Sequence, residues 1–392
     1  MIRRVKFSNF YSFKEEQEIS FLTSKKRAYS YFPSNVKKSE QVTKVAGFVG
    51  GNASGKTNIM RLFSFLSHFV RAERRGDSLE IASKTFFNNK EKSDFFVEFE
   101  IDEYLYSYKF SIKGNLILKE ELTEKRLNKK SKKETVFLRN KDKIRDLHEE
   151  YFKDFPINYL KNIRQDVSLL AFLKAHYDID IINKINKYFS HFYFNINEHG
   201  QQSQMYSVRS IKAYLSDKNL KSQMEDFVRK FDIGLEGFEI SEIKENSATF
   251  PPFEVFGIHK SGGVPKKIPL TYESRGTQAL LFMLAHIFGA LKNNGIVVID
   301  ELETGLHPEA VKKIVDYFID ENEKGMAQLI FSSHALDFMK KFDMQQIFLV
   351  EKDSLGSSCV YRLDDVDGIR TDENFLAKYM SGAYGSFPDI KV

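Results

Sequence analysis

One eight-residue segment of the sequence has the composition of a phosphate-binding loop. Residues 50–57 read Gly-Gly-Asn-Ala-Ser-Gly-Lys-Thr and match G-x-x-x-x-G-K-[ST] at every fixed position. Such glycines let backbone N–H groups surround phosphates, and a helix that follows presents its positive end to them. The lysine offers a mobile cation, and the threonine hydroxyl offers a ligand for Mg²⁺. We therefore predict ATP and Mg²⁺ as cofactors, with nucleotide contacts from Gly50, Asn52, Ala53, Ser54, Gly55, Lys56, Thr57 and Asn58.

Two carboxylates follow a short apolar run in the last third of the chain. Residues 296–299 are Ile-Val-Val-Ile, a composition typical of a buried central strand, and Asp300 and Glu301 come directly after them. Ligands bind at the carboxyl ends of such strands. We predict that Asp300 joins Thr57 in the Mg²⁺ shell and that Glu301 polarises the attacking water. The alternative, a strand that merely reaches solvent at two acids, is less favoured beside a complete phosphate loop.

A histidine follows the next predicted strand, which begins at residue 328. His334 comes after two serines, and at the end of a core strand its imidazole can reach the γ-phosphate or the attacking water. A purely structural histidine is the alternative. The order of the motifs favours function, so the predicted catalytic residues are Glu301 and His334.

The elements around these motifs alternate as in an α/β fold. The phosphate loop lies between an apolar strand, 42–49, and a helix, 56–70, whose apolar residues recur at helical spacing. The last third continues the alternation. Its predicted elements are a helix at 277–291, a strand at 296–299, a helix at 308–319, a strand at 328–332, a helix at 335–341 and a strand at 346–350.

Other segments have different patterns. Residues 5–7 and 18–21 predict an N-terminal hairpin, and 94–118 alternate like an antiparallel sheet. Residues 142–230 are mostly helical in pattern, with predicted helices at 167–176, 181–189 and 220–231. Extended runs return at 238–243 and 253–258, followed by a loop at 261–267. We divide the chain into an N-terminal lobe at 1–120, a hairpin and helical insertion at 121–250, and a C-terminal lobe at 251–392.

Composition restricts the class of protein. The single cysteine, Cys359, excludes an internal disulfide, and no apolar run reaches the roughly 20 residues of a membrane span. Without a signal-peptide pattern, we expect a cytoplasmic protein with no membrane partner. The net charge of +5 is mild, but residues 125–145 hold ten Lys and Arg against two acids. This basic window predicts either a phosphate-binding patch or a solvated surface.

Several further segments resemble one family. Residues 5–13 are similar to the N-F-x-S-F hairpin of ABC-type ATPase heads of the SMC/RecF/OLD group. Residues 273–278 are similar to the ABC signature, 303–308 to the D-loop, and 379–390 to the closing motif of these heads. Within the group, the chain most closely resembles the compact AAA-like ATPases of bacterial anti-phage and abortive-infection operons.

The resemblance implies a P-loop NTPase fold of the ABC/SMC-head type, with an antiparallel β subdomain and an inserted helical region. It also implies a homodimer or higher homo-oligomer whose heads sandwich two ATP molecules. Ser274 and Gly276 of one subunit would then touch the γ-phosphate bound by the other, although Glu273 and Arg275 depart from L-S-G-G-Q. Our candidate for the glutamine that links Mg²⁺ to the helical region is Gln165.

Three functions are compatible with these features. The leading hypothesis is an ATPase of an anti-phage defence or toxin-antitoxin-like system that senses infection or controls a partner effector, such as a nuclease. A RecF/SMC-like ATPase that binds DNA in repair or maintenance is the alternative, and a regulatory module with incidental hydrolysis is a third. We interpret His307, before Pro308, as a residue that starts a helix. No His/Cys cluster in the sequence predicts zinc.

Overall fold

Two β-sheets, one antiparallel and one mainly parallel, form the framework of the chain. The structure is a computed structural model and describes residues 1–23, 41–71, 84–127, 131–153, 155, 163–197, 200–201, 217–230, 234–242 and 253–385. Among these residues, no helix is both long enough and apolar enough to cross a bilayer.

The antiparallel sheet has seven strands. They are β1 (Ile2–Ser8), β2 (Gln17–Ser20), β6 (Ser93–Ile101), β7 (Tyr104–Lys113), β8 (Leu116–Arg126), β9 (Glu134–Asn140) and β10 (Lys143–Leu147). Their order in the sheet is β10-β9-β8-β7-β6-β1-β2. The N-terminal hairpin and the antiparallel sheet are therefore confirmed, but residue 120 lies inside β8, so the sheet crosses the boundary at which we divided the chain.

The six-stranded sheet contains the phosphate loop and the carboxylates. Its strands are β5 (Val45–Val49), β11 (Phe192–Phe194), β17 (Ile296–Ile299), β18 (Gln328–Ser332), β19 (Ile347–Lys352) and β20 (Ser358–Arg362). They lie in the order β11-β17-β18-β5-β19-β20, and only β20 is antiparallel to its neighbour. Since β5, β17 and β18 are parallel, the residues that follow them meet at one edge of the sheet.

Short strands complete the β-structure. They are β3 (Leu22–Thr23), β4 (Gln41–Val42), β12 (Ile196–Asn197), β13 (Gly200–Gln201), β14 (Leu235–Glu242), β15 (Phe253–Ser261) and β16 (Val264–Pro269). The loop predicted at 261–267 is wrong for most of its length, because β15 and β16 form a hairpin there. Gly262 and Gly263 both have positive φ, 58° and 82°, as a tight two-residue hairpin turn requires.

Seven α-helices lie in the described part of the chain. They are α1 (Lys56–Arg71), α2 (Leu169–His176), α3 (Asp180–Ser190), α4 (Lys218–Val228), α5 (Arg275–Asn293), α6 (Pro308–Glu321) and α7 (Phe375–Met380). The predicted helices are confirmed except at 335–341, where the chain forms a 3₁₀-helix, Leu336–Lys340. The segment 142–230 is less helical than predicted, since it also contains β10 and β11–β13.

The mainly parallel sheet separates two hydrophobic clusters. Val298 on β17 faces a cluster that includes α1, α3 and the antiparallel sheet. Val297 and Ile299 face a second cluster built with α5 and α6. Successive residues of a strand point to opposite faces, so a strand covered on both sides must be apolar throughout. This explains the unbroken Ile-Val-Val-Ile sequence of β17.

A buried ion pair joins the antiparallel sheet to α2. Arg139 on β9 and Glu120 on β8 are both fully buried, with 3.3 Å between Arg139 Nη1 and Glu120 Oε2. Tyr108 Oη donates to Glu120 Oε1 at 2.7 Å, and the Leu169 N–H donates to the same carboxylate at 2.9 Å. Arg139 also donates to the Val167 carbonyl at 2.8 Å. Glu120 thus satisfies backbone donors at the start of α2, where a negative charge is favourable.

Candidate functional site

The phosphate loop is tightly enclosed by its neighbours. It connects β5 to α1, and a Cβ at Gly50 would lie only 2.1 Å from the Val350 carbonyl oxygen. At Gly55, φ is +124° and a Cβ would lie 2.7 Å from Ser358 Oγ. Asn52 and Ala53 are exposed at the tip of the loop. The glycines are therefore needed for close approach as well as for backbone conformation.

The ammonium of Lys56 is held inside the loop. Its Nζ donates to the carbonyl oxygens of Gly50 and Gly51, each at 2.9 Å, and the residue is 5% exposed. Burial lowers the pKa of this ammonium, while Asp300, Glu301 and, less strongly, Glu303 act in the opposite direction. The cation is thus fixed where a nucleotide phosphate would approach.

Two serines distant in sequence fasten the loop from outside. Ser358 Oγ donates to the Ser54 carbonyl at 2.5 Å, and the Ser358 N–H donates to the Ser12 carbonyl at 2.7 Å. Asn58 Nδ2 donates to Ser12 Oγ at 2.9 Å, and Asn58 Oδ1 accepts from Arg61 at the same distance. The Asn58 side chain, which we predicted to contact nucleotide, is therefore engaged with the N-terminal turn.

Asp300 lies beside Thr57 at the end of β17. Thr57 Oγ1 and Asp300 Oδ1 are 3.4 Å apart, and Ser332 Oγ donates to the same carboxylate oxygen at 2.7 Å. Asp300 is 2% exposed, and burial raises the pKa of its carboxyl. The hydrogen bonds from Ser332 and Thr57 oppose that rise, whereas the charge of Glu301 adds to it. Two hydroxyls and one carboxylate therefore form a compact group of oxygen donors.

Glu301 turns the chain sharply away from the strand. Its φ is +53°, an uncommon conformation for a residue with a side chain, and its N–H donates to Ser332 Oγ at 2.8 Å. Thr304 Oγ1 donates to Glu301 Oε2 at 3.2 Å. Side-chain contacts therefore define the position of the carboxylate that we predicted to act on water.

His334 lies at the end of β18 with an exposed side chain. Its N–H donates to Glu303 Oε1 at 2.5 Å, and Ser333 Oγ donates to Glu303 Oε2 at 2.8 Å. Glu303, which sequence reasoning assigned only to the D-loop region, thus ties the segment after β17 to the segment after β18.

A further residue that sequence reasoning missed is Asn195, directly after β11. Its Nδ2 donates to the Asp300 carbonyl at 2.9 Å, and its Oδ1 accepts from the Asp300 N–H at 2.8 Å. This pair of bonds fixes the Asp300 backbone from the neighbouring strand. An asparagine after an aromatic run was the available signal, but a three-residue strand inside a helical pattern is not recognisable from periodicity.

The structure does not bring Gln165 to this site, so that assignment is wrong. Its carbonyl accepts from the Ile117 N–H on β8, and nearby Ser168 donates to the Phe69 carbonyl near the end of α1. Phe69 is 13 residues beyond Lys56 along the helix, which corresponds to about 20 Å at 1.5 Å per residue. The segment containing Gln165 therefore lies at the opposite end of α1 from the phosphate loop.

The signature segment caps α5. Ser274 Oγ accepts from the Thr277 N–H at 3.0 Å, and both Ser274 and Arg275 are exposed. A Cβ at Gly276 would lie 2.7 Å from the Gly305 carbonyl oxygen, so the signature turn packs directly on the loop after the carboxylates. His307 has the predicted role at the start of a helix, since its Nδ1 accepts from the Glu309 N–H at 3.2 Å.

The basic window is only partly available for phosphate contacts. Among its described residues, Arg139 is fully buried with Glu120, and Arg126 pairs with Glu103 at 2.7 Å. Lys132 and Lys133 are exposed. The structure thus removes Arg139 from the cations available to a nucleic acid, whereas Arg126 remains at the surface and residues 128–130 lie outside the described part of the chain.

The chain was compared with curated proteins, with solved structures and with protein families. A comparison with curated proteins finds no match. Solved structures with similar backbones include an SMC head domain from Thermotoga maritima, at 14% identity and a TM-score of 0.43, covering 92% of this chain and 98% of that one. Another is an Smc head bound to the C-winged helix domain of ScpA, at 15% identity and a TM-score of 0.47, covering 93% and 99%.

The comparison with protein families identifies the family of this chain. The match covers most of the chain and includes every segment of the nucleotide site from β5 to His334. Residues 45–339 match the family described as "AAA domain, putative AbiEii toxin, Type IV TA system". This confirms the predicted relation to AAA-like ATPases of the abortive-infection type. The chain belongs to this AAA family of P-loop NTPases.

Proposed function

We propose that the protein binds ATP with Mg²⁺ and hydrolyses the β–γ phosphoanhydride bond. The observation that carries this proposal is the convergence of Lys56, Thr57, Asp300 and Glu301 at one sheet edge. Thr57 Oγ1 lies 3.4 Å from Asp300 Oδ1, and the Lys56 ammonium lies in the adjacent loop. A cation for the phosphates, oxygen ligands for a metal and a carboxylate for water are thus assembled together.

The donor set fits Mg²⁺. The Thr57 hydroxyl and the Asp300 carboxylate would hold the ion, and both are hard oxygen ligands of the kind that Mg²⁺ prefers. Ser332 and Asn195 fix Asp300 through its side chain and its backbone, respectively. When bound, Mg²⁺ neutralises charge on the β- and γ-phosphates.

Glu301 would orient and polarise the attacking water. The carboxylate lies one residue beyond Asp300, is half-buried and is held by Thr304. A positioned carboxylate can accept a proton from water as the new bond to phosphorus forms. His334, whose backbone is fixed by Glu303, would donate a hydrogen bond to the γ-phosphate or to the water.

We further propose that two heads sandwich two ATP molecules. Ser274 is exposed at the N-terminus of α5, and Gly276 lets the first turn of that helix pack on the Gly305 carbonyl beside the carboxylates. A serine hydroxyl and a helix N-terminus favour an anion supplied by a second subunit. The homodimer would therefore depend on ATP.

The biological role that we infer is that of a regulatory ATPase in a bacterial defence or toxin-antitoxin-like system. The family description, which names AbiEii and a type IV toxin-antitoxin system, supports this role. A protein effector, for which a nuclease is one candidate, would be controlled by the nucleotide state. DNA binding in the RecF manner is less favoured, because Arg139, one of the cations of the basic window, is fully buried against Glu120.

Steady-state ATP hydrolysis by the purified protein tests the catalytic assignment. We expect Glu301→Gln to reduce kcat by about 100-fold or more, because it removes the general base while leaving the phosphate loop intact. The matched control is Glu309→Gln, an exposed carboxylate on α6, which should hydrolyse ATP like the wild type.

Three other outcomes would change the proposal. Turnover that is the same in the wild type and in Glu301→Gln would remove Glu301 from the mechanism. Full biological activity of a hydrolysis-deficient Glu301→Gln protein would favour the regulatory module with incidental hydrolysis. A several-fold stimulation by duplex DNA that disappears at higher salt would restore the repair-type alternative.

A further inference from the structure

Three side chains able to ligate a metal converge at the far end of the antiparallel sheet, outside the nucleotide site. Glu124 lies on β8, Glu134 is the first residue of β9, and His148 follows β10. Their ligand atoms all lie within 4.8 Å of one another. No sequence spacing revealed this cluster, because strand pairing and not a short motif brings the three residues together.

The backbone positions the two carboxylates directly against each other. Glu124 and Glu134 are paired across β8 and β9. The His148 N–H donates to the Val136 carbonyl at 2.9 Å, which attaches the third residue to the same strand. Like charges at directly opposed positions of a sheet repel each other. A cation between them would convert this repulsion into attraction.

Burial makes the need for a cation stronger. Glu124 is 5% exposed, and its Oε1 accepts from Tyr151 Oη at 2.7 Å. Its Oε2 is buried, and within the described residues it has no hydrogen-bond partner. Buried carboxylate oxygens are nearly always paired, since an unpaired one loses its hydration without compensation. This oxygen belongs to the same carboxylate that faces Glu134 and His148.

The distances suit a small tetrahedral ion. His148 Nε2 and Glu134 Oε2 are 3.2 Å apart. Ligands at 2.0–2.1 Å from a tetrahedral Zn²⁺ lie about 3.3 Å from each other, so this pair already has the required separation. The remaining pairs of ligand atoms are at most 4.8 Å apart, so all three lie within reach of one small ion after a modest adjustment of their side chains.

We propose that Glu124, Glu134 and His148 form a binding site for a divalent transition-metal ion of the Zn²⁺ class, with water as a fourth ligand. One imidazole and two carboxylates are ligands that Zn²⁺ accepts. Tyr151 orients Glu124 through its hydrogen bond, the usual function of a residue behind a metal ligand. The ion fastens β8 and β9 to the segment after the edge strand β10, and it stabilises that end of the sheet.

Binding of Zn²⁺ alone to the full-length, chelator-treated protein without nucleotide tests this site. We expect one saturable equivalent by isothermal titration calorimetry, checked by elemental analysis after dialysis. Glu124→Gln and His148→Gln should each raise the Kd for Zn²⁺ by about 100-fold or more, and Tyr151→Phe should raise it by about 10-fold. Zn²⁺ should raise the Tm of the wild type and leave that of Glu124→Gln unchanged.

Three variants keep the result specific. Asp300→Asn removes a predicted metal ligand of the nucleotide site, His259→Gln removes a histidine–glutamate contact of 2.6 Å elsewhere, and Glu150→Gln removes a nearby exposed carboxylate. All three should retain the Zn²⁺ equivalent. The proposal is overturned if the wild type shows no saturable binding, or if Glu124→Gln, folded by circular dichroism, binds Zn²⁺ as the wild type does.

Discussion

At the scale of single residues, one hydroxyl organises the carboxylate pair. Ser332 Oγ donates a hydrogen bond to Asp300 Oδ1 and accepts one from the Glu301 N–H. One hydroxyl group therefore binds both acidic residues, because it is a donor and an acceptor at once. The sequence showed Ser332 only as the last residue of a strand. Its function follows from the pairing of β17 with β18, which places the two strand ends side by side.

A buried histidine on α5 gives a prediction about acid stability. His286 is 6% exposed, both ring nitrogens lack hydrogen-bond partners among the described residues, and burial lowers its pKa to about 4. The unfolded chain, with a pKa near 6.5, binds the proton first, so stability falls as pH drops from about 6.5 towards 4. Between pH 7 and pH 5, the free energy of unfolding should therefore fall by about 2 kcal/mol less in His286→Leu than in the wild type.

Urea unfolding of the wild type and His286→Leu at the two pH values measures this difference. His68→Gln, which changes an exposed histidine on α1, is the control and should follow the wild type at both pH values. Equal pH dependence of the wild type and His286→Leu would show that the protonation of other groups governs acid stability.

At the scale of elements, continuity of the apolar pattern decided what the sequence could predict. The strands at 296–299 and 328–332 were predicted with their observed bounds because they are buried on both faces. β11 has only three residues and depends on its pairing with β17, so it was missed together with Asn195. The incorrect assignment of Gln165 has the same origin, since no local pattern tells which loop reaches the nucleotide site.

The ion pair between β8 and β9 predicts a large effect of a small substitution. Glu120→Gln leaves the fully buried guanidinium of Arg139 without its counter-charge and weakens the contact with the start of α2. We expect a loss of about 3–5 kcal/mol in the free energy of unfolding, measured with urea. Combination with Arg139→Met should cost less than the sum of the two single changes.

The adjacent Lys119→Met is the matched control for that experiment. Lys119 forms a partly exposed pair with Glu121 at 2.9 Å, so its loss should change the free energy by at most about 1 kcal/mol. If Glu120→Gln were no more destabilising than Lys119→Met, the pair would have no special role in joining α2 to the sheet.

At the scale of the whole molecule, the proposed dimer gives a test that keeps each subunit folded. Ser274 caps α5, and aspartate is also a good cap, so Ser274→Asp retains the cap while adding a negative charge. That charge would repel the phosphates of ATP on a second subunit. In the presence of ATP and Mg²⁺, we expect light scattering to show dimers of the parent protein, which carries Glu301→Gln alone. The protein that carries both Glu301→Gln and Ser274→Asp should be a monomer.

A neutral cap separates charge from helix stability. Ser274→Asn should still dimerise, more weakly than the parent protein. The monomers of all three proteins should bind ATP with a similar Kd, because the substitution does not touch the subunit's own phosphate loop. Dimers of Ser274→Asp, or monomers of the parent protein at every ATP concentration, would contradict the sandwich arrangement.

The position of β5 has a consequence for synthesis on the ribosome. Its two neighbours in the sheet are β18 and β19, which follow it by almost 300 residues. At about 5–20 residues per second, the strand before the phosphate loop waits about 15–60 s before both edges can pair. During this interval an apolar segment, Val45–Val49, has no partner from its own sheet, which leaves the nascent chain vulnerable to aggregation. Premature termination before β19 would leave that hazard permanent.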